Sequence, residues 1–206
     1  MTDIIQAIEI FAAVTGVLYV VLEILQKNSM WVVGILTGAA CAFSFGVQQV
    51  WASMGLNIYY MAISVVGLIR WKKASEAVEE GEIHLAPLSR KAALWSAVLF
   101  VVLTPVLMFI LRKTGDAAPQ WDALATILSV IATWWLAQSY LEQWMLWIVA
   151  DILSTILCMV TGQYAMALMY LAYTASAIYG YFHWKKHGKY VTLQGGAKGD
   201  SSLRSE

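Results

Sequence analysis

Seven apolar segments, each long enough to cross a bilayer, dominate this sequence of 206 residues. We place them at 4–26, 31–50, 55–71, 92–111, 121–141, 144–160 and 164–184. A helix needs about 20 apolar residues to span the hydrocarbon core, where every backbone polar group must be satisfied internally. Hydrophobic residues make up 60% of the chain and charged residues only 13%, which excludes a soluble domain. The sequence therefore predicts an all-α membrane protein with seven transmembrane helices.

Charge, cysteine and histidine usage narrows the possible functions. The formal net charge is zero, so nothing indicates nucleic acid as a partner. Cys41 and Cys158 fall inside apolar segments and are expected to be small buried hydrophobes rather than a disulfide. The three histidines lie at or near segment ends without forming a metal-binding cluster, so we predict no cofactor or metal. The N-terminus has no basic region, and the first segment is expected to be a retained helix rather than a signal peptide.

Basic residues are distributed unequally between the two ends of the predicted helices. Eleven of the 13 collect on one face, namely Lys27, Arg70, Lys72, Lys73, Arg90, Lys91, Lys185, Lys186, Lys189, Lys198 and Arg204. The other face has only Arg112 and Lys113. Since cytoplasmic loops carry the excess of Lys and Arg, the N-terminus is predicted outside and the C-terminus in the cytoplasm. Several tryptophans near segment ends are expected to be interfacial anchors: Trp31, Trp51, Trp71, Trp121, Trp144 and Trp184.

An internal repeat becomes visible when the chain is shifted against itself by 113 positions. Trp31 then aligns with Trp144, Tyr60 with Tyr173, Gly67 with Gly180, and Trp71-Lys72-Lys73 with Trp184-Lys185-Lys186, without a gap. The shift places helices 1–3 over helices 5–7. Because it moves the chain by four helices, an even number, both triplets run in the same direction. We therefore predict two parallel three-helix bundles joined by a linker helix, a 3+1+3 arrangement, with a solute site between the repeats.

The repeat also sets the predicted domain boundaries. Residues 1–71 form the first bundle, and residues 72–120 form a cytoplasmic loop and linker helix 4. Residues 121–186 form the second bundle, and residues 187–206 a flexible cytoplasmic tail. The segment 72–90 is polar and carries both charge signs, so it is expected to be a solvated loop. Gly34, Gly38, Gly67 and Gly180 are expected to be sites of close helix packing.

One acid within the sixth apolar segment is the strongest candidate for chemistry. Trp147, Asp151 and Ser154 are spaced i, i+4, i+7 and share one helix face. A carboxylate at mid-membrane costs about 2.5–3.5 kcal/mol on insertion scales, so Asp151 should face protein or water. An acid beside aromatic rings suits a cationic or aromatic solute. The alternative is a structural role, in which Asp151 only hydrogen-bonds a neighbouring helix.

Other polar and aromatic residues within the segments extend this candidate substrate site. One of the adjacent Trp134 and Trp135 is expected to line the pocket while the other packs, since neighbours on a helix point about 100° apart. The remaining candidates have polar edges that need partners in lipid: Asn57, Tyr60, Tyr170, Tyr173 and Gln48. Glu23 lies near the cytoplasmic end of the first segment, where it can reach the interface, and we assign it a structural role.

Three stretches carry a resemblance to a known family: LEQWMLWIVADILS at 141–154, WDALATILSVIA at 121–132 and LNIYYMAISVVGLIRW at 56–71. Over about residues 4–186 the chain resembles the PnuC family of bacterial vitamin transporters. The resemblance implies a SWEET-like fold of two three-helix bundles, commonly assembled as a homotrimer in the inner membrane. It also implies uptake of a non-phosphorylated B vitamin by facilitated diffusion, with a cytosolic vitamin kinase trapping the solute. The best-known substrate in this family is nicotinamide riboside, and relatives carry thiamine or riboflavin.

Several alternatives are weighed against this transporter. Thiamine, like nicotinamide riboside, carries a ring cation that suits Asp151, whereas neutral riboflavin suits it less well. A proton-coupled symporter, with Asp151 carrying the proton, and a channel both stay open. A retinal photoreceptor needs a lysine within its seventh helix, and residues 164–184 contain none. We predict no enzymatic activity, because no nucleophile–base pair or metal cluster lies within the apolar segments.

The charge asymmetry predicts the topology of the C-terminus. A C-terminal fusion to a reporter enzyme that is active only in the periplasm should be inactive, because eleven of the 13 basic residues lie on the face that includes the tail. A C-terminal fluorescent protein that folds in the cytoplasm should fluoresce in the same cells. Activity of the periplasmic reporter would reverse the assigned orientation.

Overall fold

The computed structural model describes residues 2–48, 51–76, 78–79 and 82–191, and they form a helical bundle. The helices are α1 (Thr2–Ile24), α2 (Ser29–Val47), α3 (Trp51–Ser75), α4 (Arg90–Thr114), α5 (Pro119–Ala137), α6 (Gln143–Val160) and α7 (Tyr164–His187). Two short strands, β1 (Ile83–Leu85) and β2 (Gly188–Tyr190), pair in parallel. Each predicted segment corresponds to one helix, so the all-α class is confirmed.

Three helices end at residues other than the predicted ones, in each case next to polar residues. Helix α3 continues to Ser75 and α7 to His187, since the lysines in their last turns have stems that can follow the helix into solvent. Helix α5 ends at Ala137 because Ser139 adopts a φ of 61° and turns the chain. Among the described residues, α2, α4, α6 and residues 53–75 of α3 are apolar enough to span a membrane by composition alone.

Within α1–α3 and within α4–α7, consecutive helices pack against each other, and two further contacts close the bundle. Helix α2 lies against α1 and α3, and α6 lies against α5 and α7, as the short connections predict. Helix α3 also contacts α5, and α1 contacts α7. Helix α4 packs mainly against α5, and Ser96 is its buried residue. Many apolar side chains of α4, including Trp95, Val101 and Phe109, are exposed and suit the hydrocarbon of a bilayer.

Two tryptophans lie against glycines at positions related by the shift of 113. A Cβ added to Gly67 would lie 2.5 Å from the Trp31 ring, and one added to Gly180 would lie 2.5 Å from Trp144. The close packing predicted for these glycines is therefore present. Trp31 also meets Trp71 edge-on with ring centroids 5.0 Å apart, and Trp144 meets Trp184 in the same way at 5.3 Å. The same indole–glycine unit thus occurs twice.

The tryptophans of these units are buried rather than interfacial, which corrects the prediction that they act as anchors. Trp31, Trp71 and Trp184 are 0% exposed and Trp144 is 2% exposed. Trp71 Nε1 donates a hydrogen bond to the Leu136 carbonyl in α5 at 3.1 Å. Trp184 Nε1 donates to the Ile24 carbonyl at the end of α1 at 3.0 Å. A buried indole needs such an acceptor, and here the acceptors join α3 to α5 and α7 to α1.

Residues 82–86, which we call the crossing segment, are not the solvated loop that the sequence predicted. Ile83, His84 and Leu85 are buried. Their backbone is satisfied by β2 and by Gln26, whose side chain accepts from His84 N at 2.7 Å and donates to His84 O at 2.9 Å. Ala86 N donates to the Ser139 carbonyl at 3.0 Å. This short stretch within a polar loop can be buried because its backbone finds partners on two sides.

The buried His84 is held as a neutral ring. Its ring meets Trp71 edge-on, with centroids 5.5 Å apart. Burial lowers the pKa of His84 from its ordinary 6.5 to about 4. Between these two pH values the unfolded chain takes up a proton that the packed ring does not. The free energy of unfolding therefore decreases as the pH falls from 6.5 toward 4. Glu82 beside it forms an ion pair with Lys189, which lowers the pKa of Glu82 and raises that of Lys189.

The indole–glycine packing predicts a stability difference within one helix. Gly67→Ala should destabilise the protein by about 1–3 kcal/mol, because the new methyl group overlaps the buried Trp31 ring. Thermal unfolding in detergent should show a lower midpoint. Gly55→Ala in the same helix is the control, because a Cβ there meets no atom within 4 Å and removes glycine's entropy cost. Equal midpoints for the two variants would contradict the packing argument.

Candidate functional site

A cavity of about 280 Å³ lies inside the bundle, lined by residues of α1–α3 and α5–α7. Helix α1 contributes Thr15, Gly16, Tyr19, Val20 and Glu23, and five further helices complete the wall. From α2 and α3 come Gly34, Thr37, Gly38, Asn57, Tyr60 and Ser64. From α5, α6 and α7 come Thr133, Trp144, Trp147, Asp151, Tyr173 and Ala177. The volume is close to the lower end of the range for small-molecule sites.

Glycines in α2 bring this helix close to α3 along one side of the cavity. A Cβ at Gly38 would lie 2.8 Å from Met61 Cγ, and one at Gly34 would lie 2.9 Å from Ser64 Oγ. The close packing predicted for both glycines is therefore present. The shift of 113 aligns Gly34 with Trp147 and Gly38 with Asp151. Where one triplet has no side chain, the other extends a large or charged one into the same cavity.

Asp151 and Trp147 lie on the cavity face of α6, one turn apart. Asp151 is 7% exposed, and no described residue donates a hydrogen bond to its carboxylate. The side-chain hydroxyl that bonds this residue, Thr155 Oγ1, donates to its backbone carbonyl at 2.8 Å and not to the carboxylate. Trp147 Nε1 is buried without a hydrogen-bond partner among the described residues. A buried acceptor and a buried donor without partners are features of a site that a polar ligand completes.

Aromatic rings form much of the remaining wall. Tyr19, Tyr60, Trp144 and Tyr173 join Trp147 around the cavity. The Trp144 ring is fixed between Gly180 and Trp184, so one face of the cavity is rigid. Rings of this kind offer flat apolar surfaces to a heteroaromatic group and attract a cation through their electron-rich faces. The arrangement suits a flat, positively charged ring.

The charges around the cavity have one sign. Among its lining residues, Glu23 and Asp151 are acidic, and none is Lys, Arg or His. Both carboxylates belong to buried residues, where an isolated negative charge is expensive without a partner. The cavity therefore favours a positively charged solute and disfavours an anion.

Five of the ten predicted site residues line this cavity: Asp151, Trp147, Asn57, Tyr60 and Tyr173. The other five lie outside it. Ser154 is buried but lies one turn past Asp151. Tyr170 packs edge-on against Tyr173 with centroids 6.1 Å apart, and so supports a lining residue. Gln48 is at the end of α2, where its Nε2 donates to Ser44 Oγ at 3.0 Å.

Neither of the adjacent tryptophans in α5 lines the cavity, which corrects the prediction that one of them does. Trp134 is 37% exposed on the outside of the bundle. Trp135 is buried against α4, with its Nε1 donating to Ser96 Oγ at 2.9 Å. Thr133 is the α5 residue that lines the cavity. The rotation of α5 is set by this hydrogen bond and by packing against α4, which the apolar sequence does not reveal.

Sequence reasoning missed the contribution of α1. Thr15, Gly16, Tyr19, Val20 and Glu23 recur at intervals of one, three, one and three residues, which places them on one helix face. Glu23 was expected to reach the interface, but it is buried and lines the cavity. The signal was available, since an acid within an apolar segment is a candidate for function by default. Its position close to the segment end made the interfacial interpretation equally compatible with the sequence.

Comparison with known proteins places this cavity in a functional context. Residues 6–186 match the profile of the family described as nicotinamide mononucleotide transporter. The chain belongs to this family. It is therefore a multi-pass membrane protein of a transporter family, in agreement with its apolar helices.

Individual relatives show how far the similarity extends. The chain is 28% identical over 202 residues to the nicotinamide riboside transporter PnuC of Escherichia coli K12, covering 86% of this chain and 84% of the relative. It is 31% identical over 185 residues to PnuC of Neisseria mucosa, and the match covers 85% of this chain and 70% of that relative. The riboflavin/roseoflavin transporter RibM of Streptomyces davaonensis is 20% identical over 173 residues, and the match covers 83% of this chain and 81% of that relative. The crystal structure of the vitamin B3 transporter PnuC has a TM-score of 0.67 at 30% identity, covering 85% of this chain and 79% of that one.

The contrast between Trp147 and Trp134 predicts which indole reports on a solute in the cavity. Trp147→Phe should reduce the quenching of tryptophan fluorescence by a bound heteroaromatic solute, because Trp147 lines the cavity. Trp134→Phe removes an indole of the outer surface and should leave the quenching nearly unchanged. Fluorescence titration of both purified variants measures the difference. Loss of quenching in Trp134→Phe alone would place the solute elsewhere.

Proposed function

We propose that this protein carries nicotinamide riboside into the bacterial cytoplasm across the inner membrane, by facilitated diffusion. The observation that carries the proposal is the cavity, which combines aromatic walls with two carboxylates and no basic lining residue. Nicotinamide riboside has a flat pyridinium ring with a positive charge and an uncharged ribose with hydroxyl groups. The ring suits the aromatic walls and the carboxylates, and the hydroxyls suit the unpartnered polar atoms. Relatives named as nicotinamide riboside transporters support the same substrate.

The cavity favours the riboside over the mononucleotide that appears in the family description. A phosphate group would bring about two negative charges into a buried space that already contains Glu23 and Asp151. No lysine, arginine or histidine among the lining residues compensates that charge. Repulsion between like charges increases as the local dielectric constant falls, and desolvation of the phosphate adds to it. The unphosphorylated vitamin is therefore the proposed solute.

Within the site, we assign roles to the five predicted residues that line the cavity. Asp151 pairs with the ring cation or accepts from a ribose hydroxyl, and Trp147 stacks on the pyridinium ring. Asn57, Tyr60 and Tyr173 supply polar edges and ring surface on the facing helices. Thiamine is the second candidate solute, because its thiazolium ring is also a flat cation. Riboflavin is neutral and would leave the two carboxylates without a partner.

The wider architecture follows the same proposal. We infer a 3+1+3 arrangement in which α4 links two parallel triplets, supported by the repeated indole–glycine units. The N-terminus lies outside and the C-terminus in the cytoplasm, supported by the distribution of basic residues. The resemblance to the PnuC family supports a homotrimer and a cytosolic kinase that phosphorylates the solute after entry. Phosphorylation would trap the solute, because the cavity disfavours the phosphate ester.

Binding to the purified protein tests the substrate. Nicotinamide riboside should bind, and its 5′-phosphate should bind at least about tenfold more weakly, since one uncompensated charge interaction in the cavity exceeds about 1.4 kcal/mol. Thiamine and riboflavin complete the panel, measured by fluorescence titration. Comparable affinity for the riboside and its phosphate would refute the charge argument. Uptake into vesicles that is unaffected by a protonophore would support facilitated diffusion over symport.

Asp151→Asn tests the site within the same panel. The change keeps the shape of the side chain and should weaken riboside binding about ten- to a hundredfold, because a charge-assisted hydrogen bond contributes about 1.5–3 kcal/mol. Folding should survive, since an amide is easier to bury than a carboxylate. Asp122→Asn in α5 is the matched control, because Asp122 bonds Thr126 outside the cavity. Unchanged affinity in well-folded Asp151→Asn protein would remove Asp151 from the site.

A further inference from the structure

Glu23 is a second buried acid at the cavity, on a different helix from Asp151. Its side chain belongs to α1 and is only 4% exposed. It lines the same cavity as Asp151, although the two residues come from different triplets. The position aligned with Glu23 by the shift of 113 is Leu136, so the acid is not a feature that the repeat requires. It is therefore a specific feature of the cavity.

Among the described residues, the surroundings of Glu23 provide no cationic partner. Glu23 Oε1 is buried with no hydrogen-bond partner among the described residues. The side chain that faces it is the neutral amide of Gln143, which is 0% exposed and within reach of the Glu23 carboxylate as a hydrogen-bond donor. The ion pair found within the described part of the chain is that of Glu82 with Lys189, far from this group in sequence and outside the cavity. A purely structural acid would be expected to have partners of its own.

The two acids lie at different levels of the cavity. Gln143, the neighbour of Glu23, begins α6, and Asp151 follows eight residues later. At 1.5 Å per residue this corresponds to about 12 Å along the helix. Trp144 and Trp147 lie between these levels and also line the cavity, each with an unpartnered indole N–H. A flat ring that packs against these tryptophans would have one carboxylate toward each end.

We propose that Glu23 is a specificity-determining residue that recognises the positive charge of the solute from the end of the cavity opposite Asp151. This inference rests on the proposed function, in that the solute is a cation. The solute charge supplies the cationic partner that the described residues do not give to Glu23. Discrimination between a cation and a neutral molecule of the same shape then depends on both acids, and removing either one should reduce it.

A pair of solutes that differ in charge but hardly in shape tests this role. Nicotinamide riboside is a cation, and its 1,4-dihydro form is neutral. The ratio of their dissociation constants should favour the cation in the wild type, and Glu23→Gln should reduce this ratio about tenfold, the effect of one charge-assisted contact. Glu23→Asp keeps the charge and should retain most of the ratio. Glu76→Gln, which changes an exposed acid outside the cavity, should leave it unchanged.

The outcomes separate this inference from the proposed function. If the wild type binds nicotinamide riboside but folded Glu23→Gln loses affinity equally for both forms, or loses none, Glu23 is only structural and the inference is overturned. If the wild type does not bind nicotinamide riboside, the proposed substrate is wrong, and thiamine with its neutral oxidation product thiochrome provides the same ratio. Binding of neither cation overturns both.

A second measurement applies if Glu23→Gln does not fold. Dicyclohexylcarbodiimide modifies buried carboxyl groups in membranes, and mass spectrometry of peptides distinguishes Glu23 from Asp151. In the wild type, the cationic solute should protect Glu23 from modification, whereas the neutral dihydro form at the same occupancy should protect it much less. Equal protection by both forms, or protection of Asp151 alone, would contradict the role of Glu23.

Discussion

Two buried indole N–H groups, each bonded to a main-chain carbonyl of the other helix triplet, are the interactions on which this bundle depends. Trp71 bonds the carbonyl of Leu136, next to the last residue of α5, and Trp184 bonds that of Ile24, the last residue of α1. Each bond satisfies a buried indole N–H that would otherwise be unpaired, and the Leu136 carbonyl also accepts from Ser139 N at 2.9 Å. Since the exchange is reciprocal, neither triplet can shift along the other without losing one of these bonds.

Positions aligned by the shift of 113 carry the same residue at the indole–glycine contacts, which form the frame of the bundle, and different residues at the two acids of the cavity. In the frame, equivalent positions carry the same residue: tryptophan at 31 and 144, glycine at 67 and 180. In the cavity, Tyr60 and Tyr173 still match, but the two acids do not, since Asp151 aligns with Gly38 and Glu23 with Leu136. Packing tolerates few substitutions because any added atom overlaps a buried ring. A site for an asymmetric solute needs different groups on its two sides, and the two acids, each aligned with an uncharged residue, provide them.

The sequence predicted the helices and the α6 face of the site, but not the rotation of the more apolar helices. Asp151 and Trp147 were identified because a lone acid in an apolar segment must face inward, and residues one turn apart follow it. Trp134 and Trp135 offered no such constraint, and a hydrogen bond to Ser96 on α4 decided their orientation. The burial of residues 83–85 was hidden for a similar reason: it depends on Gln26, which is 58 positions away from His84 in sequence.

The crossing segment, residues 82–86, has polar contacts to both helix triplets at this end of the bundle. Its links to the second triplet are β-pairing with residues 188–190, the bond from Ala86 N to Ser139 O and the ion pair of Glu82 with Lys189. Its polar link to the first triplet is the pair of hydrogen bonds between Gln26 and His84. Each hydrogen bond contributes about 0.5–1.5 kcal/mol net, so this pair is the weaker of the two sets of polar contacts. By polar contacts the segment is therefore coupled more strongly to the second triplet, while its buried side chains also pack against Trp71 of the first.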